Sequence, residues 1–181
     1  MTQPRPRRHL VPPAAATELL SAGRGEGAPV ERLLDLAEVV GLAEIAELWR
    51  DSGPGTLPGV MWALYLLRTW CREQGAEAAL LYRAGRPVAG VADVVAGVEE
   101  PPGPQEVAAL GDAVLRGAYR GDFGVALERA AAFSRVVSAG RVVLAREDPR
   151  GQAQLHLAAG NLACAEQLED AARAWRSGLL H

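Results

Sequence analysis

Five helix-like segments of this chain end in the same way, with an aromatic residue, an arginine within the next two positions, and then a glycine. These endings are Trp49-Arg50 before Gly53, Trp70-Cys71-Arg72 before Gly75, Tyr82-Arg83 before Gly85, Tyr119-Arg120 before Gly121, and Trp175-Arg176 before Gly178. Glycine readily adopts the left-handed conformation that follows a helix C-terminus. Arginine in the last turn meets the negative end of the helix dipole. The repeated ending therefore predicts an all-α protein.

Hydrophobic periodicity predicts an irregular multi-helix bundle with no strand. The segment 57–74 is apolar nearly all round, which indicates a central helix buried on most sides. Helices over 123–145 and 150–176 form a C-terminal long-helix hairpin spanning 123–176. Residues 1–13, rich in proline and arginine, are expected to be a flexible tail. Residues 14–181 then form a single all-α domain, in which the prolines of 98–104 suggest a subdomain boundary.

The stretch 110–130 carries a short pattern of small residues around a glycine-led turn. It reads Leu110-Gly111, Ala118-Tyr119, Gly121-Asp122-Phe123 and Ala126-Leu127-Glu128-Arg129-Ala130. This pattern resembles the junction between the paired helices of a tetratricopeptide repeat. No regular 34-residue period runs through the chain. The resemblance therefore implies one helical hairpin of that kind rather than an array of repeats.

Charge and composition exclude several classes of function. The formal net charge is −3, so no overall basic field attracts nucleic acid, and specific nucleic-acid binding is not expected. All 19 basic residues are arginine, which excludes lysine chemistry and suggests a bacterium with a GC-rich genome. Whether Arg5, Arg7 and Arg8 of the tail bind anything stays open.

The cysteines and the apolar runs indicate where the protein works. Cys71 and Cys164 lie far apart within helical patterns, as expected of buried free thiols in a reducing cytoplasm. The longest apolar run, 59–67, is much shorter than the ~20 residues that span a bilayer. The sequence therefore predicts a cytoplasmic protein without a membrane span.

No motif for a metal, a cofactor or covalent catalysis is present. The three histidines, His9, His156 and His181, stand far apart, and no Cys-x-x-Cys or His-Glu-x-x-His occurs. There is no Gly-x-Ser-x-Gly nucleophile elbow. We therefore predict no metal, no cofactor and no catalytic residue, and the sequence favours a protein that is not an enzyme.

An aromatic stripe in the segment 57–74 is the strongest candidate for a ligand site. Trp62, Leu66 and Trp70 recur at helical spacing, with Tyr65 and Arg68 to one side. Such a stripe could wall an apolar pocket in which Arg68 fixes an anionic group, or it could simply fill the core. An arginine in so apolar a helix must either reach solvent or pair with a carboxylate.

Two functions follow from these patterns. The first is a cytoplasmic, non-enzymatic regulatory module that binds a partner protein or a second copy of itself. Its candidate surface is Leu144, Leu155, Leu162, Leu168 and Trp175, which one short bundle does not easily cover. The alternative is a helical small-molecule-binding protein or enzyme with an apolar pocket beside Trp62, Tyr65, Arg68 and Trp70.

Overall fold

A computed structural model describes residues 47, 49–90, 105, 109, 111–113, 122–146 and 151–180. Of these residues 85% are helical and none lies in a strand, which confirms the all-α prediction. The chain divides into the units Met1–Leu48 and Trp49–His181, and the helices described below belong to the second. The predicted tail and the boundary at 98–104 lie outside the described residues. The tetratricopeptide-like segment is described only in part, and that resemblance stays a prediction.

Four long helices make up most of the described part of the second unit, and residues 105, 109 and 111–113 are also helical. The four long helices are α1 (Leu57–Glu73), α2 (Gly75–Ala89), α3 (Phe123–Ala145) and α4 (Gly151–Arg176). The Thr56 hydroxyl caps α1 by accepting from the Gly59 amide at 3.3 Å, and Pro58 occupies the first turn. Asp122 caps α3 in the same way, accepting from the Val125 amide at 3.2 Å. Threonine and aspartate are preferred N-cap residues, so the sequence indicates both helix starts.

Helices end before Gly53, Gly75 and Gly178, as predicted, whereas no helix ends before Gly85. The predicted ending at Gly121 lies outside the described residues. Gly178 has a φ of 67° directly after α4, as the pattern requires. Gly85 instead lies inside α2, which continues to Ala89 and ends at Gly90, with a φ of 63°. Gly53 and Gly75 do not have positive φ either. The aromatic-arginine-glycine pattern therefore occurs both at helix ends and at a site where two helices pack closely.

Gly85 is needed because α2 crosses α3 with the two backbones in contact. A Cβ atom on Gly85 would lie 1.9 Å from the Val136 carbonyl oxygen. From the other side, a Cβ atom on Gly140 would lie 1.9 Å from the Leu81 carbonyl oxygen. Both distances are far below ordinary van der Waals contact, so only glycine fits at this crossing.

The helix buried on most sides is α3, whereas the sequence pattern assigned that role to the segment 57–74. Fourteen of the 23 residues of α3 are buried. Most are alanine, valine, glycine or serine, and these short side chains let α2 and α4 approach closely. Leu66 of α1, by contrast, is 46% exposed. Apolar character all round α1 therefore did not make it the centre of the bundle.

The predicted C-terminal hairpin is present, and α4 runs antiparallel along α3. Near the start of α3, Glu128 pairs with Arg176 at 2.7 Å. Farther along, the Ser138 hydroxyl donates to the Ala158 carbonyl oxygen at 2.8 Å. Between them, Arg135 binds Glu169 through two hydrogen bonds. Within the described ranges, no helix is both long and apolar enough to cross a membrane.

Candidate functional site

A cavity of about 380 Å³ lies between α1 and α4, with α3 beneath it. It is lined by Gly59, Trp62, Ala63, Leu66, Leu67 and Trp70 of α1, Ser134 of α3, Asn161, Cys164 and Gln167 of α4, and Ser52 and Pro54 of the turn before α1. Leu66 and Pro54 are exposed, so the cavity opens to solvent at these residues. Its volume is within the range of small-molecule pockets, roughly 300–1,000 Å³.

Two tryptophans of α1 wall the cavity, and neighbouring side chains hold their rings. Trp62 stacks on Tyr65 with ring centroids 5.7 Å apart, and the Arg50 guanidinium lies 5.9 Å from the Trp62 ring. Trp70 meets Phe133 of α3 at 6.3 Å in a tilted arrangement. Aromatic and cation–π contacts at these distances favour defined ring positions. The cavity wall is therefore ordered by its surroundings.

The turn before α1 closes one end of the cavity. Gly59 packs directly on this turn, because a Cβ atom there would lie 2.1 Å from the Gly53 carbonyl oxygen. The Gln167 side chain of α4 donates from Nε2 to the Pro54 carbonyl oxygen at 2.9 Å. This hydrogen bond joins α4 to the turn and fixes the orientation of the Gln167 amide.

The floor of the cavity holds a buried hydroxyl group that is not used by the fold. Ser134 is 1% exposed, and its Oγ has no hydrogen-bond partner in the described part of the chain. A buried polar group without a partner is costly, by roughly 1–3 kcal/mol, and it calls for an explanation. Its neighbour is the Cys164 thiol, a weak partner at most. Ser134 thus holds an unused donor and acceptor directly beneath the cavity lining.

The Cys164 thiol is not a nucleophile at neutral pH. Burial raises its pKa, and the Ser134 hydroxyl lowers that pKa by less. A thiol with a raised pKa stays protonated at pH 7, and the thiolate is the reactive form. Cys164 therefore contributes a soft, neutral surface to the cavity wall.

Behind the Trp70 end of the cavity, Arg141 joins all four helices. Its side chain is 6% exposed, and Nη1 contacts Glu77 of α2 at 3.1 Å. Nε donates to Asn161 Oδ1 at 3.0 Å, and Nη1 also donates to Gln154 Oε1 at 2.8 Å. The guanidinium lies 5.8 Å from the Trp70 ring. This network fixes the Asn161 amide at the edge of the cavity.

The structure brings two of the four predicted pocket residues into the cavity lining. Trp62 and Trp70 line it, while Tyr65 stacks against Trp62 without being part of the lining. Arg68 is not part of the lining either, because its Nε donates to Asp112 Oδ1 at 2.7 Å. Of the two outcomes expected for Arg68, the carboxylate pair is the one that occurs. The idea that Arg68 fixes an anion in this pocket is therefore not supported.

Cys71 lies beside that ion pair and is fully buried. Burial raises the pKa of its thiol to about 12, and the nearby Asp112 carboxylate adds to the effect. The thiol is thus inert, as the sequence suggested.

The five residues of the predicted interaction surface differ in their exposure to solvent. Leu155 and Leu162 are 44% and 38% exposed, whereas Leu168 is 0% exposed and belongs to the core. Leu144 is half-buried. Trp175 is 37% exposed, but its ring packs edge-on against Phe123 with centroids 4.9 Å apart. Leu168 is removed from the surface because it lies on the side of α4 that packs on α3.

Sequence reasoning missed the polar residues of the cavity, Ser134, Asn161 and Gln167. A usable signal existed at Ser134, which lies in the mostly apolar run 130–140 of a long helix. A hydroxyl in such a run must either bond to the backbone or face a polar space. Asn161 and Gln167 gave no comparable signal, because amides on an amphipathic helix are usually solvated.

Comparison of the chain with protein-family models, curated proteins and solved structures found no match. Among the residues that the structure describes, no group of three or more His, Cys, Asp and Glu side chains could hold a metal ion.

Proposed function

We propose that this protein binds a small molecule in the cavity between α1 and α4. The observation that carries the proposal is the buried Ser134 hydroxyl at the cavity lining, whose one neighbour able to share a hydrogen bond is the weakly bonding Cys164 thiol. A fold that leaves such a group unsatisfied loses stability, and a ligand that bonds to it would restore the loss. The apolar wall supplies the rest of the affinity, since ligand sites combine a mostly apolar lining with a few placed polar groups.

The size and chemistry of the lining are consistent with binding rather than catalysis. A volume of about 380 Å³ corresponds to about a dozen water molecules at ~30 Å³ each. The lining contains hydroxyl, amide and thiol groups, and the thiol is held in its protonated form. These groups can orient a ligand, whereas general acid–base work at pH 7 needs a group that titrates near that pH.

A second candidate is binding of a partner protein through the α3–α4 hairpin. Val142, Leu155 and Leu162 are 39%, 44% and 38% exposed. Val142 lies near the end of α3 and Leu155 near the start of α4, which brings them to the same end of the antiparallel hairpin. Exposed apolar side chains grouped in this way favour an interface, either with another protein or with a second copy of the chain.

We place the protein in the cytoplasm. The support is that both cysteines are free thiols, as expected of a protein kept in a reducing compartment.

The cavity proposal is tested with the neutral fluorescent probe N-phenyl-1-naphthylamine. We expect saturable binding to the wild-type protein, seen as an increase in probe fluorescence. Ala63 lines the cavity, and Ala63→Phe should fill part of it and weaken binding at least tenfold. Ala163→Phe is the matched control, since Ala163 is an exposed residue of α4 outside the lining, and its binding should equal that of the wild type.

Two results would overturn the proposal. One is no saturable binding to the wild-type protein. The other is equal binding by the wild type and by a folded Ala63→Phe variant, which would place the probe elsewhere, for example on the exposed leucines of the hairpin.

A further inference from the structure

The residues that line the cavity carry no formal charge. Its polar groups are the hydroxyls of Ser52 and Ser134, the amides of Asn161 and Gln167, and the protonated thiol of Cys164. A charged ligand would therefore lose its hydration without gaining a direct ionic partner in the lining, which is unfavourable. The guanidinium behind this wall, that of Arg141, already shares its charge with Glu77 at 3.1 Å.

Asn161 lines the cavity, and Arg141 sets the orientation of its amide. Arg141 Nε has only hydrogens to offer, so the atom that faces it at 3.0 Å must be the Asn161 oxygen. The amide NH₂ group is the part of Asn161 left for another partner. The orientation of this amide is therefore fixed by the hydrogen-bond donor that its oxygen faces.

The Gln167 amide is oriented the other way. The Pro54 carbonyl oxygen is an acceptor, so the atom that faces it at 2.9 Å must be the Gln167 nitrogen. Gln167 Oε1 is the atom left over, and it is an acceptor. Asn161 and Gln167 are six residues apart on α4, which places them about 9 Å apart along the helix axis at 1.5 Å per residue.

Ser134 lies between these two amides. Its neighbour on α4 is Cys164, which is three residues from Asn161 and three from Gln167. The α4 side of the cavity thus carries a donor at one end and an acceptor at the other, and the Ser134 hydroxyl, which can act as either, lies near its middle. The opposite side, on α1, is formed by indole and leucine side chains.

Resting on the proposed ligand site, we infer that the ligand is an uncharged molecule with an aromatic body and a neutral hydrogen-bonding group such as a carboxamide. The body lies against the apolar side formed by α1. The carbonyl oxygen of the neutral group accepts from Ser134 Oγ, and an N–H or O–H of the same group donates to an acceptor of this wall. An anionic group, which the presence of Arg68 in α1 first suggested, is disfavoured.

Three naphthalene compounds of the same ring size test this inference: 2-naphthamide, 2-naphthoate and 2-methylnaphthalene. Each is measured by its displacement of N-phenyl-1-naphthylamine from the wild-type protein. We expect 2-naphthamide to bind about fivefold more tightly than 2-methylnaphthalene, which corresponds to one net hydrogen bond of about 1 kcal/mol. We expect 2-naphthoate to bind at least tenfold more weakly than 2-naphthamide.

Two serines on α3 provide a matched pair of variants. Ser134→Ala removes a buried hydroxyl that the fold does not use, so the variant should be at least as stable as the wild type while losing the fivefold preference for 2-naphthamide. Ser138→Ala removes a hydroxyl that donates to the Ala158 carbonyl oxygen and is not part of the lining. It should lower the midpoint of denaturant unfolding and leave that preference unchanged.

The failures of the two proposals are distinguishable. If none of the three compounds binds and the probe does not bind either, the proposed ligand site itself is wrong. If all three bind but 2-naphthoate equals or exceeds 2-naphthamide, the site stands and the uncharged class is overturned. If 2-methylnaphthalene binds as tightly as 2-naphthamide, or if Ser134→Ala keeps the preference for 2-naphthamide, the assigned hydrogen-bonding role is overturned.

Discussion

The close backbone contact where α2 crosses α3 can be tested by replacing a glycine at the crossing with alanine. In Gly140→Ala, the new Cβ atom would lie 1.9 Å from the Leu81 carbonyl oxygen, whereas ordinary contact begins at 3.4 Å. The obstacle is helix backbone, so α2 and α3 must separate, and a gap of about 1 Å removes up to roughly half of the dispersion energy across an interface. Tyr82, Val136 and Val137 are buried near this crossing, and each is worth roughly 1.5–3 kcal/mol when fully buried. Strain adds roughly 1–3 kcal/mol to the loss of stability. The higher helix propensity of alanine offsets about 1 kcal/mol of that loss. We expect a net loss of roughly 3 kcal/mol.

The control is Gly160→Ala in the exposed middle of α4. A Cβ atom at Gly160 would meet nothing within 4 Å, so this substitution should stabilise the protein by up to about 1 kcal/mol through helix propensity alone. Both variants are measured by urea unfolding, followed by circular dichroism at a fixed protein concentration. A Gly140→Ala variant within about 0.5 kcal/mol of the wild type, with an unchanged m-value, would refute the close backbone contact.

Three further outcomes are expected. Arg141→Met should lower the free energy of unfolding by roughly 2–3 kcal/mol in urea titration, because it removes the hydrogen bonds of a buried guanidinium to Glu77, Gln154 and Asn161. Arg141→Lys should be destabilised as well, because an ammonium group does not reproduce this hydrogen-bonding geometry. Arg135 holds the pKa of Glu169 below its usual range, so the stabilisation from this pair is present above about pH 5 and lost as the pH falls through the folded pKa. Glu169→Gln should therefore differ from the wild type in urea unfolding at pH 6, and the difference should shrink as the pH falls through the folded pKa; a constant difference would contradict this. If the hairpin face self-associates, light scattering at micromolar concentration should give a dimer mass that Leu155→Asp reduces to a monomer, and a monomeric wild type would reject self-association.

The sequence was a good guide to α1, α3 and α4. Thr56 and Asp122 are strong N-cap residues placed before long helical patterns, so both starts could be assigned from local chemistry. The end of α2 could not, because Gly85 carries the same local pattern as a helix end. Its role depends on α3, more than 50 residues later in the chain, and a local rule cannot contain that information.

The sequence predicted the apolar wall of the cavity on α1 but not the polar wall on α3 and α4. Helical spacing placed Trp62 and Trp70 on one stripe, and both line the cavity. The polar wall depends on which residues of α3 and α4 face α1, which is set by how the three helices pack. The partner of Arg68 was equally hidden, since Asp112 is 44 residues away in sequence. The apolar sequence around Arg68 indicated that it must reach solvent or pair with a carboxylate, but not which of these occurs or with which residue.

The ¹H–¹⁵N spectrum of the tryptophan indoles tests the central claim most directly. The chain has four tryptophans, so four indole signals are expected, each assignable by a Trp→Phe variant. Titration with 2-naphthamide should shift the signals of Trp62 and Trp70, which line the cavity, along one saturable curve. The signals of Trp49, which is buried outside the lining, and of Trp175, at the far end of α4, should stay in place. Shifts confined to Trp175, or no saturable shift at Trp62 and Trp70, would contradict a ligand site between α1 and α4.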